Sequence, residues 1–153
     1  MSLAFRQSLA KRVIFQSPAT QKYQLTEIYP ETGAFVLSTW LIKSMDMMLQ
    51  RGISYEVTAL RDDHRIDACL GPDNHNPAGR AMDFWFLNTD KPGDYMDVKN
   101  PLFAARLGLL KSLQYVDAVG LGGSADDASL LSVLGSLGFS DNGSDHLHLQ
   151  VSQ

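Results

Sequence analysis

The chain has 153 residues, of which 44% are hydrophobic and 20% are charged, and its formal net charge is −4. This length and composition fit one domain with a substantial core and exclude a disordered chain. The negative charge argues against a broad basic surface, and therefore against tight nonspecific binding of nucleic acid. The single cysteine, Cys69, excludes an intrachain disulfide.

The sequence lacks both signals that would send it into or across a membrane. No apolar run reaches the length of a membrane span. The first residues, MSLAFRQSLAKRVIF, have no signal-peptide core followed by a small-residue cleavage site. We therefore expect a protein that is made in a cytoplasm without a signal peptide and that has no membrane span.

The first third of the chain divides into an arm and the start of the main domain. Residues 1–33 are predicted to be an N-terminal arm that packs on the body, in which RVIFQ and KYQLTEIY are possible short strands. The main domain is predicted to span 34–153 and to open with a helix over 34–51 that ends before Gly52. Apolar residues recur there at three- and four-residue spacing, at Ala34, Leu37, Leu41, Met45 and Met48.

Two strands and a long loop are predicted next. ISYEVTAL alternates strictly, with Tyr55 and Val57 on one face. RDDHRIDACLGPDNHNPAG is a polar loop with glycine and proline, and long ordered loops in compact domains are often functional. RAMDFWFLN is predicted to be a second strand with Asp83 and Trp85 on one face.

The second half of the chain is predicted to add two helices and two strands. Asn100 can cap a helix with Pro101 in its first turn, and this helix is predicted to run to about Gln114. VDAVGLGG is the next predicted strand, followed by a helix that Ser124 caps and Gly138 ends. FSDNGSD is predicted to turn the chain into HLHLQV, the last strand.

This order of elements predicts the fold class. Helices and strands are mixed, and the loops are too irregular for a regular parallel βαβ repeat. We therefore predict a single α+β domain with a mostly antiparallel sheet of about four strands, flanked by helices.

The final strand carries two histidines. On a strand, His146 and His148 point to one face together with Gln150, while Leu147 and Leu149 point to the other, apolar face. Two neighbouring imidazoles suit a metal site, or one ligand beside one group that transfers a proton. A lone His-x-His is also typical of the polar face of an edge strand.

The upstream stretch favours the metal interpretation. His75 lies in the polar loop and Asp83 in the strand that follows, and small residues between them allow close approach of the backbone. Histidine nitrogen and aspartate oxygen are both good zinc ligands, and three protein ligands with an open fourth position are typical of catalytic zinc. A closed structural site would use four ligands, usually with several cysteines.

The two motifs carry a family resemblance. HNPAGRAMDF resembles the His-x-x-Gly-x-Ala-x-Asp segment of the zinc D-alanyl-D-alanine carboxypeptidase and dipeptidase family, and DHLH resembles that family's second motif. The wider superfamily includes lysostaphin-type endopeptidases, the hedgehog signalling domain and phage endolysins. The resemblance covers roughly residues 53–151, and within it YEVTALR is similar to the family strand that ends in an arginine.

The resemblance implies a role for each matched residue. Zinc (Zn2+) would be bound by three residues, His75, Asp83 and His148. Asp145 stands where the family commonly has a general-base glutamate, and His146 is the first histidine of the His-x-His pair. Arg61 matches the family arginine that stabilises the substrate or the oxyanion. Trp85, which shares a strand face with Asp83, is a further candidate for contact with the substrate.

Two positions depart from the family pattern. Seven residues, NPAGRAM, separate His75 from Asp83 where the family usually has six, and Asp145 is one methylene shorter than glutamate. If Asp145 does not reach the water, His146 is expected to accept its proton.

The function that the resemblance implies is a zinc metallopeptidase that hydrolyses an amide bond in peptidoglycan stem peptides. It would be of the D-Ala-D-Ala carboxypeptidase or L,D-endopeptidase type, with a zinc cleft on the sheet, and would act on the bacterial cell wall, as a phage endolysin does. One competing interpretation is a non-enzymatic virion or binding domain on the same scaffold. A zinc hydrolase that acts on another amide or ester is a third.

Overall fold

The computed structural model describes residues 1–16, 37–60, 79–141 and 144–152, and all structural statements below concern these residues. They form four α-helices: α1 (Leu3–Ala10), α2 (Thr39–Gln50), α3 (Pro101–Ser112) and α4 (Ala128–Leu134). They also form six strands: β1 (Ile14–Phe15), β2 (Tyr55–Ala59), β3 (Ala81–Phe86), β4 (Val116–Gly122), β5 (Gly138–Asp141) and β6 (Leu147–Val151). No described helix has the length and apolar character needed to cross a membrane.

The six strands form one mixed sheet in the order β1-β2-β3-β6-β4-β5. The central pairings, β2 with β3, β3 with β6 and β6 with β4, are antiparallel. The two outer pairings, β1 with β2 and β4 with β5, are parallel. The class is α+β as predicted, but the prediction of a mostly antiparallel sheet of about four strands is wrong, because two short strands join the outer edges in parallel.

The strand β5 is the main element that the prediction of the sheet omits. The sequence predicts a helix end and a turn over residues 138–141, which contain only one large apolar side chain, Phe139. In the structure they run parallel to β4, which requires a crossover between the two strands. The helix α4 lies in that crossover and contacts β5, so β4, α4 and β5 form a βαβ unit.

The helix boundaries follow local capping chemistry. The Asn100 side chain accepts a hydrogen bond from the Leu102 N–H and Pro101 stands in the first turn, as predicted for α3. The predicted cap of the next helix is wrong. A 3₁₀ turn occupies Gly123–Ala125, and the Asp127 carboxylate caps α4 instead, by accepting from the N–H groups of Ser129 and Leu130.

The core is built from apolar side chains of the sheet and of the helices, and β3 is buried along its whole length. The predicted stripe on α2 is buried at Leu41, Met45 and Met48. Residues 1–16 contribute to the same core through Leu9 and Phe15, and β1 extends the sheet. How the arm and the main domain divide therefore stays a prediction, since 17–36 lie outside the described residues.

Candidate functional site

The central feature of the site is a pair formed by Asp83 and His148. The two residues are directly opposite each other on the antiparallel strands β3 and β6, so their side chains share one face. The Nδ1 atom of His148 lies 2.9 Å from the Oδ1 atom of Asp83. Asp83 is only 6% exposed. The structure thus brings together two of the three predicted zinc ligands, which are 65 residues apart in sequence.

The spacing of this pair is that of a hydrogen bond, and it is close to the spacing of two ligands on one metal ion. Two ligand atoms that each lie about 2.1 Å from a tetrahedral zinc ion are about 3.4 Å apart. The Asp83 and His148 atoms are 2.9 Å apart, which is a hydrogen-bond distance, so a shared ion would require them to separate by about 0.5 Å. Asp83 is buried and His148 is half-buried, and a buried charge is stabilised by pairing or by a metal. The donor set, one carboxylate oxygen and one imidazole nitrogen, is one that zinc accepts.

The second histidine of the motif is held by different partners. The Nδ1 atom of His146 lies 2.7 Å from the backbone oxygen of Ser144, and its Nε2 atom lies 3.0 Å from the Oδ2 atom of Asp141. Both ring nitrogens therefore face oxygen acceptors, and these two contacts fix the orientation of the ring. A carboxylate beside an imidazole is a common way to orient a histidine that transfers protons or binds metal.

Two glycines of β4 allow side chains of β5 to reach both histidines. Gly120 is in register with His148 on one side and with Phe139 on the other. Gly122 is in register with Asp141, and its N–H donates to the backbone oxygen of His146. Because these positions of β4 carry no side chain, β5 reaches across it to β6.

Sequence reasoning missed Phe139 and Asp141 because it assigned their segment to a turn. The sequence signal for them is that three segments each place residues of functional or steric interest at every second position. Gly-x-Gly at Gly120 and Gly122, Phe-x-Asp at Phe139 and Asp141, and the His-x-His motif all have the two-residue period of a strand.

Asp145, the predicted general base, has a strong partner of its own. Its Oδ1 atom accepts a hydrogen bond from the N–H of Ser124 at 2.5 Å, which joins the start of the 3₁₀ turn to the chain before β6. This hydrogen bond, with a contribution from the Ser124 side chain, lowers the pKa of the Asp145 carboxyl below its usual value. A carboxylate stabilised in its charged form is a weaker base, so Asp145 is less suited to accept a proton.

The remaining predicted residues lie apart from this pair or outside the described range. Trp85 is 7% exposed, and its indole N–H donates to the backbone oxygen of Met96 at 3.0 Å. Its ring packs 5.3 Å from that of Phe103, so Trp85 contributes to the core, and contact with a substrate stays a prediction. Arg61 and His75 lie outside the described residues, so their roles stay predictions.

Within the described ranges, which omit His75, no group of three or more His, Cys, Asp or Glu side chains is placed to hold a metal ion. The three-residue ligand set therefore remains a prediction, of which the Asp83–His148 pair is the described part. No protein-family model, no curated protein and no solved structure matches the chain.

Proposed function

We propose that the protein is a zinc-dependent metallopeptidase that hydrolyses an amide bond in peptidoglycan stem peptides. The observation that supports this most directly is the Asp83–His148 pair, in which the buried Asp83 Oδ1 atom lies 2.9 Å from His148 Nδ1 on the facing strand. The substrate class comes from the resemblance of the two motifs to the carboxypeptidase and dipeptidase family. Its site of action in this proposal is the bacterial cell wall.

Each residue of the site has one task in this proposal. Asp83 and His148, together with His75, would hold the zinc ion. The zinc ion would supply Lewis acidity, which activates water and polarises the carbonyl group of a peptide bond. His146 would move the proton from water to the leaving amine. Because both of its ring nitrogens contact oxygen atoms in the structure, Nε2 would first have to leave the Asp141 carboxylate, while the Ser144 carbonyl keeps the ring oriented. Arg61 is the proposed partner of the developing negative charge.

The choice between His146 and Asp145 as proton-transfer group gives the first prediction. His146→Gln is expected to lower kcat by about 10²- to 10⁴-fold with zinc content unchanged, which is the usual contribution of general acid–base catalysis. Asp145→Asn is expected to lower kcat by less than about tenfold. The asparagine oxygen can still accept from the Ser124 N–H, so this variant removes the charge and keeps the hydrogen bond.

The measurement is kcat with peptide substrate and zinc content by mass spectrometry for both variants. A large loss of kcat in Asp145→Asn with little loss in His146→Gln would reverse the assignment and make Asp145 the base. Loss of zinc from His146→Gln would show that His146 is a ligand.

The test of the proposed function is direct. The chain is purified without a histidine tag, and metal content is measured by mass spectrometry. We expect about one zinc ion per chain. Purified peptidoglycan is then digested with and without a chelator, and the soluble products are identified by mass spectrometry, which also identifies the bond that is cut.

Two results would overturn the proposal. A chain that takes up no zinc even when zinc is supplied would be a non-enzymatic domain, in which Asp83 and His148 form only a hydrogen bond within the sheet. A chain that binds zinc but releases nothing from peptidoglycan would be a metal-binding domain or a hydrolase of another amide or ester.

A further inference from the structure

Phe139 stands beside the candidate site on the edge strand β5. It is 39% exposed, so part of its side chain is open to solvent. Its ring centroid lies 5.8 Å from that of His148, and the two planes meet at 69°, an edge-to-face contact. His148 therefore has the Asp83 carboxylate on one side and an aromatic ring on the other.

The position of the Phe139 ring is fixed by the strand between them. A Cβ atom on Gly120 would lie 2.6 Å from Cζ of Phe139 and 3.0 Å from Cβ of His148. The ring thus fills the space above Gly120, and β4 has no side chain to compete with it. A ring that is packed on one side and open on the other is a preformed apolar surface next to the reacting centre.

We infer that Phe139 forms an apolar subsite beside His148, which receives an alanine-type methyl side chain of the peptide next to the bond that is cut. This inference rests on the proposed function and adds to it a residue that determines specificity. Peptidoglycan stem peptides present alanine methyl groups, and their transfer from water to an aromatic surface favours binding. The polar atoms of Asp83 and His148 face the peptide bond, while Phe139 faces its side chain.

The experiment compares matched peptides on matched variants. The probes are the stem pentapeptide L-Ala–D-Glu–L-Lys–D-Ala–D-Ala and its analogues in which glycine replaces each alanine in turn. One methyl group in an apolar pocket is worth about 10-fold or more in kcat/KM. For one alanine next to the cut bond, we expect wild type to prefer alanine over glycine by about tenfold.

The variants separate an apolar contact from a general structural effect. Phe139→Ala is expected to reduce the alanine preference to less than about threefold, mainly through a higher KM for the alanine peptide. Phe139→Leu, which stays apolar, is expected to keep most of the preference. Leu102→Ala is the control, because Leu102 is an exposed apolar residue (54%) on α3 outside the site. Its alanine preference should equal that of wild type.

Every outcome decides the inference. If wild type cleaves the peptides and Phe139→Ala keeps the full preference, the subsite is wrong and the proposed function stands. If wild type cleaves neither peptides nor peptidoglycan, both fail. If Phe139→Ala does not fold, Phe139→Gln, which has similar reach but a polar end, replaces it, and an unchanged preference there contradicts the inference.

Discussion

Replacing Gly123 by alanine is expected to destabilise the protein by about 3 kcal/mol, the largest stability loss that we predict for one added methyl group. Gly123 has a positive φ of 57°, and a Cβ atom there would lie 2.0 Å from Oδ1 and 2.8 Å from Cα of Asp145. The carboxylate would have to release the Ser124 N–H, and the backbone of Asp145 would have to shift. The loss of stability from backbone strain and the loss from overpacking therefore add together.

A matched substitution separates these two effects. Gly52 also has a positive φ, of 73°, but in the described part of the chain no atom beyond its immediate neighbours lies within 4 Å of its added Cβ atom. Gly52→Ala should therefore cost only the conformational strain, about 1 kcal/mol. The measurement is the free energy of unfolding from urea titrations of wild type and both variants. Equal losses at the two positions would show that Asp145 does not constrain the turn.

The inner strands could be predicted from the sequence because their side chains alternate. In β6 the apolar residues Leu147 and Leu149 face the core while His148 faces the other side, and this period is visible without any partner strand. The strand β5 could not be predicted in this way, because it has four residues and one large apolar side chain. Its strand conformation comes from parallel pairing with β4, which is a tertiary interaction.

The site was predictable in part for the same reason. Local patterning showed that Asp83 and His148 lie on strands and which neighbours share their faces. It could not show that β3 and β6 are adjacent, or that their register sets these two residues opposite each other. The hydrogen bond from Ser124 to Asp145 likewise depends on a 3₁₀ turn that the helix pattern did not reveal. Register and adjacency depend on the whole packed sheet, and no short segment encodes them.

His148→Ala is expected to remove the zinc ion and the stability that zinc confers, and to abolish hydrolysis. A ligand that binds only the folded state at a concentration 100 to 1,000 times its Kd stabilises that state by about 3–4 kcal/mol. Wild type should therefore become more resistant to unfolding when zinc replaces a chelator. His148→Ala should show no such gain. In chelator it should still be less stable by about 2 kcal/mol, because the buried Asp83 carboxylate loses the imidazole contact.

The control is the same substitution two residues away. His146 immediately precedes β6 and is exposed to a similar degree as His148, but its ring contacts Asp141 and Ser144. His146→Ala should keep the stabilisation by zinc and lose only catalysis. Unfolding curves of the three proteins with zinc and with chelator measure this directly. Equal stabilisation of His148→Ala and wild type by zinc would rule out His148 as a ligand, whereas loss in both variants would make His146 part of the metal centre.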